Sequence, residues 1–174
     1  MAWKFQDDPV PREVVQRMLD VAVWAPNHRL TEPWRFFVLE KDSPARRLVA
    51  QLAHDFALEH SNLPDRALAT RHKVLDPPVV IYVYCIQGTN EEVSRENYAA
   101  VCCAVQNIAL AGVAEGLAVT WETGGATRHP ELKETLGAEP DWALVAMLSI
   151  GVPAEAAASR RTPGSNFVWW FGLD

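Results

Sequence analysis

Residues 5–39, FQDDPVPREVVQRMLDVAVWAPNHRLTEPWRFFVL, set the opening of the fold as helix, polar loop and strand. Pro11 starts a helical pattern in which Val14, Val15, Met18, Leu19 and Ala22 fall on one stripe. That helix is expected to end near Ala25, because Pro26 disfavours helical geometry in the residue before it. Residues 25–33, APNHRLTEP, then form a loop, and residues 34–39, WRFFVL, are rich in the aromatic and branched side chains of a strand.

Working outward, residues 44–60 and, less regularly, 64–75 carry helical spacing. Pro77-Pro78 stops the second of these and introduces VVIYVYCI, residues 79–86, an unbroken apolar run of strand length that belongs in the middle of a sheet. Residues 97–115 predict a helix that is apolar or small around nearly its whole circumference, from Tyr98 and Val101 to Leu110 and Val113. Such a helix is covered on several sides, one of them available to a second subunit. A strand over 117–123, Gly124-Gly125, a short helix over 130–136 stopped by Gly137, and an apolar strand over 142–152 follow. From Ala154 the chain reads as an extended arm bearing Arg160, Arg161, Phe167, Trp169, Trp170 and Phe171, packed either on a partner subunit or back on its own domain. The elements mix without strict alternation, which gives an α+β class: one domain over 1–174, with the arm over 154–174.

The chain has 174 residues, 49% hydrophobic and 22% charged, with a formal net charge of −6. That acidity argues against a nucleic-acid binder. No apolar run reaches the roughly 18–20 residues of a membrane span, and residues 1–11 lack the pattern of a signal peptide. Cys85, Cys102 and Cys103 are an odd number without metal-ligand spacing, which reads as free, buried cysteines of a cytoplasmic protein and as no metal site. Neither a Gly-x-Ser-x-Gly elbow nor a Gly-x-Gly-x-x-Gly fingerprint is present.

Three stretches together resemble the nitroreductase family: residues 5–39, with their Ala-Pro loop and Pro-Trp-Arg-Phe lead-in to the strand; GLAVTWETGG, residues 116–125; and ALVAMLSIGVP, residues 143–153, with Arg160 and Arg161 beyond it. The resemblance implies a central, mostly antiparallel sheet flanked by helices, in a homodimer with FMN sites at the interface. It also implies an enzyme that takes hydride from NADH or NADPH and passes electrons to a nitroaromatic, quinone or similar acceptor in a ping-pong cycle. The flavin carries that chemistry, so no side-chain acid or base is assigned.

The resemblance further implies where the cofactor lies. Thr123 and Gly124 match the turn whose backbone approaches flavin N5, although Gly-Gly also serves a plain turn. Trp121 and Glu122 precede it; relatives often have arginine at the latter position, and an acid beside an anionic reduced ring is unfavourable, so the Glu122 carboxylate is expected to point elsewhere. Asn27, His28 and Arg29 sit where relatives present polar groups to the flavin across the interface, the alternative being an ordinary surface loop. Trp24 stands where some relatives place an arginine. Lys73, with Arg71 beside it, matches a lysine at the pyrimidine edge, or else belongs to a solvated basic cluster. Arg160 and Arg161 match residues that hold the FMN phosphate, or else form a solvated pair.

One departure concerns the Arg-Arg-Ser or Arg-His-Ser element with which relatives usually grip the phosphate: Met1 falls at its serine and both preceding cations are missing. Either the natural start lies upstream, which the intact motif from Phe5 favours, or FMN binds weakly, or the cofactor has been lost. Two other readings therefore stand beside the reductase: a flavin-binding protein without turnover, and a cofactor-free dimer on the same fold.

Overall fold

Strand β2, Val79–Cys85, is buried at every residue in the computed structural model, which describes residues 4–155 and 159–172. Its side chains alternate between two apolar layers, which is why the sequence shows no polar face there. The sheet order is β1-β2-β4-β3, with β1 at Trp34–Glu40, β3 at Ala118–Glu122 and β4 at Ala143–Gly151. Every pairing is antiparallel, and the registers Tyr82↔Met147 and Glu122↔Met147 put the end of β3 level with the middle of β2.

One face is covered by α1, Arg12–Ala22, and α4, Glu91–Ala114, through Met18, Ala22, Val101 and Ile108 against Ile81, Val83 and Leu148. The other is covered by α2, Pro44–Ser61, α3, Pro64–Leu75, and α5, Leu132–Leu136, through Val49, Ala53, Val74 and Leu132 against Val80, Tyr82 and Met147. These are the expected α+β layers, with both helices of the 44–75 stretch in place.

Helix α4 differs from expectation at its start. It begins at Glu91, six residues before Asn97, because the Asn90 side chain accepts from the Val93 amide and two acids occupy the first turn. Taken whole, α4 contains an 18-residue window of mean hydropathy 1.4 and is long enough to cross a membrane by length and composition, a property the strand-and-helix reading of the sequence had not shown. At its other end Gly116 takes φ +76, and the Leu117 and Gly116 amides donate to the Gly112 and Val113 carbonyls at 2.8 and 3.1 Å. This left-handed cap turns the chain sharply into β3.

The amino-terminal segment runs beside the end of β4: Phe5 bridges Pro153, the Gln6 amide donates to the Val152 carbonyl at 2.8 Å, and the Ala154 amide to the Lys4 carbonyl at 3.0 Å. The start of the chain and the root of the arm are thus neighbours. Met1 lies outside the described residues. Residues 159–172 of the arm are exposed rather than packed back on the domain: Trp169, Trp170 and Phe171 all face solvent, Phe171 at 88%. Cys85 is buried as expected, whereas Cys103 is exposed; all three cysteines are free.

Candidate functional site

The strongest convergence of expected site residues is where β3 meets α3. Along β3, alternation turns Val119 and Trp121 toward the α4 face and Thr120 and Glu122 toward α3. Glu122, with a side chain only 12% exposed, accepts from the Lys73 ammonium at 2.8 Å. Glu122 thus forms an ion pair with the lysine that the resemblance assigns to the cofactor's edge, and it lines the cavities there. Immediately after it come Thr123 and Gly124, both exposed. A Cβ built on Gly124 would meet nothing within 4 Å, so the backbone there faces open space that a side chain would fill.

The turn beyond is fixed from the sheet. The buried Tyr82 hydroxyl donates to the Ala126 carbonyl at 2.9 Å, and desolvation holds the phenol well above its ordinary range, so it stays a donor. The Thr127 hydroxyl closes the same turn onto the Gly124 carbonyl at 2.9 Å. Neither anchor stands out in the sequence. Tyr82 is hidden inside an apolar strand, though a phenol in such a run signals a partner waiting in the core.

Two cavities share Ala69, Lys73 and Glu122 as a common wall. The larger, about 730 Å³, extends to Lys4, Phe5, Ala154, Thr120 and Ser149. Thr120 and Ser149 are paired across β3 and β4, and both hydroxyls are buried with no partner. Such orphaned hydroxyls are uncommon in a finished core and suit a wall that meets a polar ligand. The smaller cavity, about 410 Å³, reaches Gly124, Gly125, Thr70, Arg66 and Arg128. Both volumes fall in the range of cofactor and substrate sites. A third cavity, about 420 Å³, lies between α1 and β1 and includes none of the expected site residues.

The Ala-Pro loop forms a second, separate group. Arg29, Leu30 and Glu32 all have positive φ (67, 49 and 46), a conformation that costs non-glycine residues about 1–3 kcal/mol each. A polar relay holds it: Asn27 accepts from the Glu32 amide at 2.7 Å and donates to the Thr31 hydroxyl at 3.0 Å. Thr31 donates to buried Asn97 at 2.6 Å, and Asn97 to the Ile86 carbonyl at 3.1 Å. His28 and Arg29 both engage Glu96 of α4, at 2.9 and 3.2 Å, and these hydrogen bonds hold the carboxyl below its usual range. Trp24, at the end of α1, is 86% exposed.

These two groups do not meet within one chain. The loop leads into β1 and the glycine turn follows β3, the opposite edge strands, separated by three inter-strand spacings or about 14 Å. Arg160 and Arg161 form a third group on the arm, both exposed, with Arg161 donating to the Arg160 carbonyl at 3.0 Å. Arg71 has a buried Nε without a partner. Among the described residues no cluster of His, Cys, Asp and Glu suits a metal ion.

The Nitroreductase family profile matches residues 4–152. YdjA of Escherichia coli K12, named as a candidate NAD(P)H nitroreductase, is 30% identical over 169 residues, covering 94% of this chain and 91% of YdjA. A nitroreductase-like family protein from Bacillus cereus superposes with a TM-score of 0.84 at 27% identity, over 98% of this chain and 90% of that one. A Desulfovibrio desulfuricans protein crystallised in complex with FMN superposes at 0.78, over 99% and 92% of the two chains; at 23% identity it shows the fold alone.

Proposed function

This chain belongs to the nitroreductase family, and from that premise we propose that it is an FMN-dependent oxidoreductase moving electrons from NADH or NADPH to a nitroaromatic, quinone or similar small acceptor. The observation that carries the reading is the exposed Thr123-Gly124 turn, anchored by Tyr82 and set beside Lys73 at the wall between two cavities. FMN is supported by the fit of that wall: an open glycine backbone, a cation, and two unpartnered hydroxyls. The nitroreductase name of YdjA and the FMN in the Desulfovibrio structure point the same way.

FMN supplies the hydride and electron chemistry when bound, and a ping-pong order follows if one pocket receives reductant and acceptor in turn. The chain's residues bind and orient. The amide at Gly124 would hold the ring, and Lys73 would place positive charge at its pyrimidine edge. Arg160 and Arg161 are suited to the phosphate because neither is engaged by a carboxylate among the described residues. Asn27, His28 and Arg29, with Trp24, complete the site from a second copy, since their own chain keeps them on the opposite edge.

A homodimer accounts for surfaces one chain leaves bare. Leu110 and Val113 on α4, Trp24 and Leu30 at the loop, and Trp169 to Phe171 on the arm are large, apolar and exposed. Solvent-facing aromatics in such number mark an association surface. A cytoplasmic location fits the three free cysteines. Replacing Leu110 by Glu is expected to shift the protein toward monomer in sedimentation velocity and to weaken FMN retention.

The deciding test is a visible spectrum of the purified protein with added FMN, followed by anaerobic NADH or NADPH. Flavin bands that bleach with either nicotinamide support a reductase. Bound flavin that neither bleaches leaves a flavin-binding protein without turnover, and a colourless protein that ignores FMN leaves a cofactor-free dimer.

A further inference from the structure

The three cavities differ in charge. The one between α1 and β1 has acids in excess, Asp7, Glu40 and Asp42 against Arg12 and Lys41. The larger cavity at Lys73 is balanced, with Lys4, Lys41 and Lys73 facing Asp7, Asp76 and Glu122. The 410 Å³ cavity has Arg66, Lys73 and Arg128 against Glu122 alone, and Glu122 is engaged by Lys73. In a chain of net charge −6, this is a local reversal of sign.

Arg66 and Arg128 make no side-chain hydrogen bond or ion pair among the described residues, whereas Arg17, Arg29 and Arg95 are each paired with a glutamate. Two aromatic side chains, Phe56 and His60, also line the cavity. The Phe56 and His60 rings stack with centroids 3.9 Å apart and planes at 22°, and the Phe56 carbonyl fixes the imidazole at 2.9 Å. Gly124 lies on the same lining.

We propose that this cavity is an anion-recognising subsite, in which Arg66 and Arg128 receive the carboxylate or phosphate of a ligand whose planar ring packs along the Phe56–His60 wall toward Gly124. Guanidinium forks suit both groups through paired donors. The proposal rests on the flavin-reductase reading. Two ligands carry the chemistry: an electron acceptor bearing an acid, and NADPH, whose adenosine phosphate NADH lacks.

The test uses FMN-loaded protein and the variants Arg66→Gln and Arg128→Gln. The readouts are the ratio of kcat/KM for 4-nitrobenzoate to that for neutral 4-nitrobenzamide, and the ratio for NADPH to NADH. Removing a charge-assisted hydrogen bond that only the anionic substrate of a pair can form lowers the ratio about tenfold. A fall in the benzoate ratio identifies the acceptor's acid, and a fall in the NADPH ratio identifies the dinucleotide phosphate; either supports the subsite. Arg12→Gln, in the cavity by α1, serves as the control and leaves both ratios unchanged. Calorimetric titration of 4-nitrobenzoate into oxidised protein reads the acceptor arm without turnover, and rising salt weakens that binding more in the parent protein than in either variant. Both ratios unchanged in both variants would overturn the proposal. Failure of the flavin reading itself shows earlier and separately, as protein that takes up no FMN or does not bleach.

Discussion

Arg46 and Lys73 are cations of the same helical layer, yet one is locked into the fold and the other is held at the edge of a cavity. Arg46 is 1% exposed and pairs with no carboxylate among the described residues. Its Nε donates to the Val74 carbonyl at 2.7 Å, its Nη1 to the Leu39 and Pro78 carbonyls, each at 3.1 Å, and its Nη2 to the Pro77 carbonyl. The reason lies in the sequence of α3's end. The helical donor that Val74 would use four residues on is Pro78, which has no N–H, so the guanidinium takes its place. Desolvation, the larger influence, pushes Arg46 down to about 10, still charged at neutral pH. Lys73, one residue before Val74, is about half exposed and pairs with the Glu122 carboxylate. A charge spread over four fixed carbonyls cannot change partners. One held by Glu122 beside open space can exchange that acid for a ligand.

The contrast breaks most visibly at Arg46. Arg46→Met keeps the chain length but strands four buried carbonyls, and a loss of about 3–5 kcal/mol in urea denaturation is expected. A loss under about 1 kcal/mol would show that water replaces the guanidinium. Next comes Tyr82→Phe, which removes the bond from the Tyr82 hydroxyl of β2 to the Ala126 carbonyl beside the glycine turn. It is expected to cost about 1–2 kcal/mol and to weaken FMN binding, read by denaturation and by flavin titration.

The Lys73–Glu122 pair sharpens the comparison from the other side. Glu122→Gln is expected to change stability by no more than about 1 kcal/mol, whereas Lys73→Met, which leaves a carboxylate only 12% exposed without this cation, is expected to cost about 1 kcal/mol or more. Their effects on bound FMN are expected to be opposite. Freeing Lys73 with Glu122→Gln raises the two-electron midpoint potential, and Lys73→Met lowers it, each by on the order of 30 mV. Equal shifts in one direction would remove Lys73 from the pyrimidine edge.

How much of this was legible in the sequence follows from the range of the interactions. The strands and the layered α+β arrangement depend on local periodicity, and they were readable from VVIYVYCI and its neighbours. The start of α4 was missed because residues 91–96 are polar apart from Val93 and carry no apolar stripe, although Asn90 followed by two acids was a visible cap. Glu122 was recognised as a departure, but its partner depends on how β3 lies against α3, which no local pattern encodes. Arg46 adjoins Arg47 in a helical stretch, and no local pattern separates a buried cation from an exposed one. Only Pro77-Pro78, with two missing donors, hinted that a buried cation was needed. Arg66 and Arg128 are 62 positions apart in the numbering and become one feature only around a cavity.

Glu96 supplies a third kind of charge, one acid serving two cations, and the smallest expected effect. Hydrogen bonds from His28 and then Arg29 hold its carboxyl below the ordinary range of about 4.3. A carboxylate with a lowered folded pKa stabilises the native loop above the unfolded pKa, and that contribution is lost as pH falls through the folded value. Amide protection across residues 27–32 is therefore expected to hold steady from neutrality to about pH 4.3 and to decline below it. Glu96→Gln is expected to flatten that decline, because the group that titrates is gone. Hydrogen exchange followed by NMR on both proteins reads the difference. If the decline persists in Glu96→Gln, the strained loop is held by the Asn27–Thr31–Asn97 relay alone, and this ion pair, unlike Arg46 or Lys73–Glu122, has no part in shaping it.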